Sequence, residues 1–384
     1  MMWAAMRRQK RRRVGSVASE ADAEDEDSGV RLIMGWGGSG KSRQGFEFAA
    51  RSKGGVVFLS LTAALLASVP DSINVVYKLT IAAFVNRPGL IIPAGACLYI
   101  DEVSMVPPHL MDSILRRARG HTVLCTGDVF QIQPIAAVAA TRQWFFESPE
   151  FLRRGADATV VTEQHRLTGP DCTDVRRLLE AVAFQTGTDA AWKHEMTEFV
   201  LSRVAPSPPS AHLIVFSNDQ IRRETVAWAK RTGATLDRHG LCVGLPATIT
   251  TNKIEASSST RVTYAYRNGD TGVIERITDH AVSVRVDGTL VTVPHGGVGN
   301  VIPQVKSAVA QTADAAQGKT IDDPVHVIFP STFFPHPARI LVAASRSKVV
   351  SFTVDDKAAF ARGMQAAAFD PKAVAYAKKV CRSD

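Results

Sequence analysis

The sequence predicts an α/β fold built on a parallel β-sheet. Over the first third of the chain, helix-compatible stretches alternate with short apolar runs at residues 30–34, 56–61, 97–100 and 122–125. Such alternation is typical of parallel strands that are connected by crossover helices. A glycine-rich segment follows the first run, and two carboxylates follow the third. Polar residues directly after strands indicate a site at the carboxyl edge of the sheet.

The glycine-rich segment, GWGGSGKS at residues 35–42, fits the pattern G-x-x-x-x-G-K-[ST]. It lies between a predicted strand and a predicted helix at residues 42–51, and in this context the pattern cradles phosphate. Backbone N–H groups and the helix dipole favour negative charge there. Lys41 is expected to reach the β- and γ-phosphates, and the Ser42 hydroxyl to hold Mg²⁺. The predicted nucleotide-binding residues of this segment are Gly35, Gly37, Gly38, Ser39, Gly40, Lys41 and Ser42.

Candidate catalytic residues follow the later strands. The third run leads into Asp101 and Glu102, which are predicted to supply a Mg²⁺ ligand and a base for the attacking water, respectively. The fourth run leads into GDVFQIQP at residues 127–134, where Gln131 is expected to orient water and sense the nucleotide. Adjacent acids are also common on solvated loops. The preceding strand and the spacing after Lys41 favour the functional interpretation.

Composition excludes several other classes of protein. The chain has 384 residues, of which 45% are hydrophobic, and no apolar run approaches the ~18 residues of a membrane span. Charged residues near the amino terminus stand where a signal peptide needs its apolar stretch, so we expect an intracellular protein of the nucleus or cytoplasm. The five cysteines are scattered, and no C-x-x-C or Cys/His cluster indicates a disulfide framework or zinc.

The charge distribution is compatible with a polyanionic partner. Residues 7–13 carry six basic side chains and residues 20–27 carry six acidic ones, so the net charge of +8 belongs to the remainder of the chain. A basic body fits nucleic acid, although ordinary solubility charge accounts for it equally well. Residues 1–28 are predicted to be a disordered tail. Its basic block fits a nuclear address, a nucleic-acid arm or a solvated tail.

A second alternating region is predicted to begin near Thr159, with strands at residues 212–216, 325–329 and 349–354. Within it, residues 244–299 are rich in Thr, Val and Gly and alternate with period two, which predicts a small antiparallel barrel inserted in the α/β fold. The predicted organisation is therefore a tail at 1–28, a first domain at 29–150 and a second domain at 151–360. The inserted barrel occupies about 246–299, and residues 361–384 form a C-terminal tail or helix.

Six segments in order resemble the motif series of superfamily 1 helicases, most closely the RecD/Pif-type, 5′→3′ translocating group. They are GWGGSGKS, YIDEVSM, GDVFQIQP, EQHRL, AQGKT and AASRSK. The resemblance spans nearly the whole chain from residue 30 to residue 347. It implies two RecA-like P-loop domains, with a small SH3-like barrel inserted in the second.

The resemblance also implies residue roles. Arg166 and Arg346 would reach the γ-phosphate from the second domain as arginine fingers. Gly318 would line the nucleotide cleft. The positions implied to contact the nucleic-acid strand are Thr62, Asn218 and Thr312. One departure lies beside Thr312, because Asp314 and Ala315 stand where this group usually has His-Lys.

The resulting hypothesis is an ATP-dependent DNA helicase or translocase that uses ATP and Mg²⁺ to move 5′→3′ along single-stranded DNA and unwind duplex. DNA is favoured over RNA, and the protein is expected to be monomeric or part of a replication or repair assembly. A viral-type RNA helicase and a nucleic-acid-binding NTPase that does not separate strands remain alternatives. An inactive scaffold is disfavoured because the candidate catalytic residues are all present.

Overall fold

The computed structural model describes residues 12–14, 29–62, 65–66, 69–133, 143–168, 172–183, 189–257, 262–296, 303–330 and 336–381. The strands are β1 (Arg12–Val14), β2 (Val30–Gly35), β3 (Val56–Ser60), β4 (Val75–Thr80), β5 (Cys97–Ile100), β6 (Val123–Gly127), β7 (Ala156–Val161), β8 (His212–Val215), β9 (Pro246–Ile249), β10 (Lys253–Ser257), β11 (Val262–Tyr266), β12 (Thr271–Ile277), β13 (Ala281–Val286), β14 (Thr289–Pro294), β15 (Val305–Ser307), β16 (Ala310–Thr312), β17 (Val325–Phe329) and β18 (Val350–Val354). The helices are α1 (Lys41–Ala49), α2 (Ile81–Val85), α3 (Pro108–Arg117), α4 (Pro149–Arg154), α5 (Thr173–Ala183), α6 (Asp189–Leu201), α7 (Asn218–Thr232), α8 (Ala313–Ala316), α9 (Pro337–Ala344), α10 (Lys357–Ala366) and α11 (Pro371–Cys381).

The first sheet has seven strands in the order β1-β7-β2-β6-β5-β3-β4. Neighbouring strands are parallel except for β1, which is antiparallel to β7. The strands predicted from the four apolar runs are present as β2, β3, β5 and β6. The predicted α/β fold with a parallel sheet is therefore confirmed.

Helix α1 covers one face of this sheet. The ring of Phe46 packs 5.7 Å from the ring of Phe58 and 5.0 Å from that of Tyr99. Because successive side chains of a strand point to opposite faces, Leu98 and Ile100 lie in the larger core on the other side. This packing fixes the amino end of α1 beside the carboxyl end of β5, where the two carboxylates follow.

The first sheet extends further along the chain than the predicted domain boundary at residue 150. Strand β7 pairs in parallel with β2 over its whole length, from Val30 opposite Ala156 to Gly35 opposite Val161. The second alternating region expected to begin near Thr159 therefore starts with a strand of the first sheet. The pattern of a strand indicates its conformation but not the sheet that it joins, which accounts for the error.

Two parts of the first sheet have no counterpart among the predicted elements. Strand β4 is an edge strand whose residues are mostly half-buried, so it lacks a continuous apolar run. Helix α2 follows it, capped by the Thr80 hydroxyl, which accepts a hydrogen bond from the Ala83 N–H at 3.2 Å.

Within the tail predicted to be disordered, residues 12–14 form strand β1, so the prediction is wrong for those three residues. The rest of the tail lies outside the described residues.

A second parallel sheet has the strand order β16-β8-β17-β18. The predicted strands at residues 212–216, 325–329 and 349–354 are confirmed as β8, β17 and β18. His326 of β17 is fully buried, with Nδ1 2.8 Å from the Ser351 hydroxyl and Nε2 2.8 Å from the Thr353 hydroxyl. Burial lowers the pKa of His326. The neutral ring suits this position, because one ring nitrogen donates and the other accepts.

The free energy of unfolding is expected to fall as the pH drops below about 6.5, the ordinary pKa of an unfolded histidine. Because the pKa of His326 is lowered in the folded state, the unfolded chain binds more protons in this range. In urea titrations from pH 7 to pH 5, His326 should contribute up to about 1.4 kcal/mol per pH unit to the slope, and His326→Gln should remove that contribution. Burial also lowers the pKa values of His212 and His295, whose contributions remain. The matched control, His109→Gln on an exposed side chain, should retain the contribution of His326. Equal slopes for the wild type and His326→Gln would contradict the prediction.

A five-stranded antiparallel sheet, in the order β14-β13-β12-β9-β15, lies between β8 and β16 in sequence. Its period-two pattern places Val282, Val284 and Val293 in a separate small core. Strands β9 to β14 fall within the interval predicted for the insertion, about 246–299, and β15 extends beyond it. Residues 297–302 lie outside the described part of the chain. The insertion of an antiparallel β unit is thus present where the alternation predicted it.

The C-terminal helices return the chain to the first sheet. Helix α10 packs on α6, and α11 contacts β7 and β1. The ring of Tyr376 stacks on that of Phe146 at 4.1 Å with an interplanar angle of 5°. A tail or helix was expected at residues 361–384, where α10 ends at Ala366 and α11 spans Pro371–Cys381. Within the described residues, no helix combines the length and hydrophobicity needed to cross a bilayer.

Candidate nucleotide-binding site

The phosphate loop, residues 35–42, joins β2 to α1. Gly38 and Gly40 have φ values of 82° and 81°, in the left-handed region that favours glycine. Gly37 is required for a different reason. A Cβ atom built on it would lie 2.8 Å from the Ser345 hydroxyl and 3.0 Å from Nη2 of Arg346. The loop therefore lies in contact with residues that follow α9, next to the second parallel sheet.

Two polar side chains of the loop are buried. Lys41, the first residue of α1, is 6% exposed, and its Nζ donates to the Trp36 carbonyl oxygen at 3.5 Å. The Ser39 hydroxyl is fully buried and has no hydrogen-bond partner among the described residues. A buried hydroxyl without a partner is costly, so a ligand with acceptor oxygens at this loop would stabilise it.

Ser42 and Asp101 lie side by side where α1 begins and β5 ends. The Ser42 hydroxyl donates to Asp101 Oδ1 at 3.2 Å, and the Thr126 hydroxyl donates to the same oxygen at 2.5 Å. The Tyr99 hydroxyl donates to the Ser42 carbonyl oxygen at 3.3 Å, which fixes the helix start over the strand. Burial, followed by the charge of Glu102, raises the pKa of Asp101. One hydroxyl and one carboxylate form the kind of oxygen donor set that Mg²⁺ prefers, and a bound cation would favour the ionised carboxylate.

Glu102 is held in a strained backbone conformation. Its φ of 54° and ψ of 46° lie in the left-handed region, where a side chain with a Cβ is disfavoured. The residue is 7% exposed, and its Oε2 has no hydrogen-bond partner among the described residues. Gly318 faces it, since a Cβ there would lie 3.8 Å from Glu102 Cγ and 2.9 Å from Leu65 Cδ2. Strain of this kind concentrates at functional sites.

The sensor loop, residues 128–133, follows β6. Gln131 Nε2 donates to Asp128 Oδ2 at 2.9 Å, and the Phe130 N–H donates to Asp128 Oδ1 at 3.0 Å. Gln131 is 2% exposed, and its Oε1 has no partner in the described structure. Burial raises the pKa of Asp128, while the charge of Lys41 lowers it. Asp128 thus orients the amide of Gln131 and leaves the amide oxygen free to bind water or a ligand.

The resemblance implied that Arg166 reaches the site from the second domain. In the structure, Arg166 reaches it from the first sheet. It follows β7, the neighbour of β2, so its segment ends at the same sheet edge as the phosphate loop. The His165 N–H donates to the Gly38 carbonyl oxygen at 2.8 Å, and Gln164 Nε2 donates to that of Gly37 at 2.9 Å. The Arg166 guanidinium donates across to the Ser345 carbonyl oxygen at 3.1 Å. Burial lowers the pKa of Arg166.

Arg346 follows α9 and is 2% exposed. Its guanidinium donates to the carbonyl oxygens of Val342 at 3.0 Å and Lys319 at 3.2 Å, and to the Ser345 hydroxyl at 3.0 Å. None of these acceptors is a carboxylate. Burial, followed by the charge of Arg166, lowers the pKa of Arg346 to about 10, so it remains protonated at neutral pH. A buried cation bonded only to neutral acceptors is suited to an incoming anion.

The three residues predicted to contact the nucleic-acid strand lie at the ends of helices and β-strands. Thr62 is exposed after β3, and Asn218 is exposed at the start of α7, which Ser217 caps. Thr312 caps α8, because its hydroxyl accepts from the Ala315 N–H at 3.2 Å. Asp314, at the position where the helicase group has histidine, forms an ion pair with Arg339 at 3.1 Å. The role of the three residues in strand binding stays a prediction.

Comparison with known proteins agrees with this geometry. Residues 20–201 match the family described as the AAA domain. A Pif1 helicase structure from work on DNA unwinding at forked duplexes superimposes with a TM-score of 0.64 at 17% identity, over 87% of this chain and 90% of that chain. The chain has the fold of the Pif1 helicases. The resemblance to superfamily 1 helicases and the predicted P-loop NTPase fold are therefore confirmed at the level of the fold.

Two further structures support the assignment of the Pif1 fold. Bacteroides Pif1 in complex with ADP-AlF3 and ssDNA gives a TM-score of 0.60 at 19% identity, over 90% of this chain and 95% of that chain. Candida albicans Pif1 gives 0.59 at 15% identity, over 92% and 96%. No curated protein matches the sequence. At these identities the likeness establishes the fold, and residue roles depend on the site itself.

Several site residues of this Pif1 fold were not singled out by the sequence. Gln164 holds the phosphate loop and also accepts from the Arg166 N–H at 3.2 Å. His165 lies against Gly40, where a Cβ would be 2.7 Å from its ring. Thr126 and Ser345 complete the contacts around Asp101 and Arg346. Gln164 and His165 belong to the EQHRL motif, so that motif was the available signal. Ser345 likewise belongs to the AASRSK motif, and only Thr126 became apparent from the packing alone.

Proposed function

We propose that this protein is an ATP-dependent DNA helicase or translocase that moves 5′→3′ along single-stranded DNA and unwinds duplex. One observation carries the proposal. The phosphate loop on the first sheet is in contact with Ser345 and buried Arg346, which follow a helix of the second parallel sheet. An anion bound at the loop would attract Arg346, so nucleotide binding and the separation of the two sheets would be linked.

In this proposal the two parallel sheets are the cores of two RecA-like domains. The first runs from residue 29 and includes β7, and the second extends to about residue 360. The antiparallel sheet of β9, β12–β15 would be an inserted SH3-like barrel. Support comes from the separate small core of that unit and from its place between β8 and β16.

The substrate would be ATP, bound with its phosphates at the loop and Lys41. Ser42 and Asp101 would hold Mg²⁺, which neutralises phosphate charge when bound. Glu102 would accept a proton from the attacking water, since its buried Oε2 has no partner in the described structure. Gln131 would orient that water.

The two arginines would have different parts in hydrolysis. Each would stabilise charge that develops on the γ-phosphate, which is the role of an arginine finger. Arg166 is bound to the phosphate loop through its own segment, so it would be present whether the sheets are close or apart. Arg346 belongs to the other sheet, so only it would arrive with closure. Hydrolysis would thereby depend on the relative position of the two sheets.

The polynucleotide is proposed to be single-stranded DNA. The Bacteroides Pif1 that shares this fold is described in complex with ssDNA, and the body of this chain is basic. Thr62, Asn218 and Thr312 are proposed contacts, with most of the grip from Lys and Arg to phosphates. We further propose an intracellular protein, monomeric or within a replication or repair assembly.

The test is ATP hydrolysis measured with and without single-stranded DNA or RNA, followed by unwinding of duplexes that carry a 5′ or a 3′ tail. We expect DNA to stimulate hydrolysis, unwinding only from the 5′ tail, and strand binding that weakens steeply with added salt. Stimulation by RNA alone would favour an RNA helicase. Stimulation without unwinding from either tail would favour an NTPase that does not separate strands. Hydrolysis insensitive to any polynucleotide would overturn all three.

A further inference from the structure

The chain between α10 and α11 contacts the sensor loop on both sides of Gln131. The Phe369 ring packs edge-on against that of Phe130, with centroids 5.4 Å apart and an interplanar angle of 82°. Asp370 Oδ2 accepts a hydrogen bond from Gln133 Nε2 at 2.9 Å. This segment therefore holds Phe130, which immediately precedes Gln131, and Gln133, which lies two residues after it.

Asp370 has a second contact that fixes its own position. Its Oδ1 accepts from the Lys372 N–H at 2.8 Å and so caps the first turn of α11. The two carboxylate oxygens are thus divided between the helix and the sensor loop. A helix start is rigid compared with a loop, so the cap supplies Gln133 with a fixed acceptor.

Phe369 also contacts the elements of the second sheet. Its ring lies 4.9 Å from the ring of Trp192 on α6, a helix that packs against α10 and β18. Phe369 is 8% exposed and Phe130 is 6% exposed, so this contact is part of a packed core. The ring is therefore placed between the sensor loop and a helix of the second sheet.

The following helix is anchored to the first sheet. Tyr376 stacks on Phe146, and Lys372 forms an ion pair with Glu147. Phe369 and Asp370 are consequently held by contacts to both sheets, and they also contact the loop that carries Gln131. A shift of one sheet relative to the other would be transmitted to that loop, because packed cores deform little.

We infer that Phe369 and Asp370 are positioning residues that hold Gln131 for hydrolysis and couple its loop to the second sheet. The inference rests on the proposed function, in which Gln131 orients the attacking water. Neither residue touches the reacting atoms. Their effect runs through Phe130 and Gln133, and it belongs to the rate of hydrolysis and not to the affinity for nucleotide.

The experiment exchanges donor and acceptor across the Gln133–Asp370 contact in the full-length protein. Asp370→Asn keeps an oxygen to cap α11, because Asn caps as well as Asp, and the Gln133 amide can rotate so that its oxygen accepts from the new amide. Gln133→Glu places two carboxylates against each other. The double variant restores one donor and one acceptor. Lys378→Met is the matched control, because it changes an exposed lysine later in the same helix that has no part in these contacts.

We expect Gln133→Glu to lower DNA-stimulated kcat about tenfold and Asp370→Asn to lower it less than about threefold, with the ATP KM changed less than about twofold in both. The double variant should recover kcat to within about threefold of the wild type, and Lys378→Met should stay within about twofold. Unfolding temperatures are measured in parallel, because a merely structural contact would lower them without reducing kcat. If Gln133→Glu is unstable, Gln133→Ala removes the same contact and leaves the helix cap intact.

Gln133→Glu with wild-type kcat would overturn the inference, as would a double variant no better than Gln133→Glu. Both results leave the proposed function in place, since the wild type would still hydrolyse ATP and respond to DNA. Absence of hydrolysis in the wild type is a separate outcome that removes the proposed function and the inference together.

Discussion

Lys41→Ala is expected to lower ATP hydrolysis by about a thousandfold, the size of effect seen when a preorganised group that stabilises transition-state charge is lost. Lys41 is 6% exposed at the start of α1, so no nearby solvent could substitute for its charge. The charge of Lys41 also lowers the pKa of Asp101 and of Asp128. Without it, both carboxyls would shift toward the protonated form. Steady-state hydrolysis at saturating ATP measures the change.

Binding of single-stranded DNA should distinguish a specific loss of ATP hydrolysis in Lys41→Ala from unfolding of the variant. Lys41 lies at the phosphate loop, so binding of a labelled single-stranded oligonucleotide, followed by fluorescence anisotropy, should remain within about threefold of the wild type at fixed salt. Lys53→Ala, an exposed lysine shortly after α1, is the matched control and should leave hydrolysis unchanged. Hydrolysis by Lys41→Ala within tenfold of the wild type would mean that the phosphate loop does not bind the substrate phosphates as proposed.

Arg346→Ala is expected to reduce kcat by about 10³-fold, the lower end of the range for an arginine finger. Nucleotide affinity should fall much less, because the proposed contact forms with the charge that develops during hydrolysis. Arg346→Lys should recover only a small part of the loss. An ammonium keeps the charge but cannot reproduce three bonds that leave different guanidinium nitrogens toward Val342, Lys319 and Ser345. Single-turnover hydrolysis and titration with a fluorescent ATP analogue separate the two quantities.

Stability needs its own control here, because Arg346 satisfies buried carbonyl oxygens and its loss will lower the unfolding temperature. Arg339→Ala removes a partly exposed ion pair from the same helix, α9, and should preserve kcat. Kinetics are compared at a temperature where each variant is fully folded by circular dichroism. A folded Arg346→Ala with near-normal kcat would show that closure of the second sheet is not required for hydrolysis.

The sequence predicted the strands that carry the chemistry because those strands are buried on both faces. Continuous apolar runs at β2, β3, β5 and β6 are what such burial requires, and Asp101 and Gln131 could be placed from the residues that follow them. Strand β4 escaped prediction because an edge position leaves its side chains half-exposed and of mixed polarity. Patterning therefore failed where a segment is only partly enclosed.

The sequence also did not predict which segments of the chain lie next to each other in the fold. The motif around Arg166 was recognised, but the prediction that Arg166 comes from the second domain was wrong. The pattern of a strand does not indicate which sheet β7 joins. The contact between Gln133 and Asp370 joins residues far apart in the chain, and neither belongs to a motif that links them. Thr126 likewise acquires its role only through the hydrogen bond to Asp101 across neighbouring strands. Local pattern carries no information on these pairings.

In the proposed mechanism, the left-handed backbone of Glu102 sets stability against turnover at a single position. Holding a residue with a Cβ atom there costs on the order of 1 kcal/mol or more, and glycine would adopt the same angles without that penalty. A chain under pressure only to fold would drift toward glycine at this site. In that mechanism the glutamate supplies the carboxylate that accepts the proton of the attacking water, so this polypeptide is less stable than its own architecture would permit.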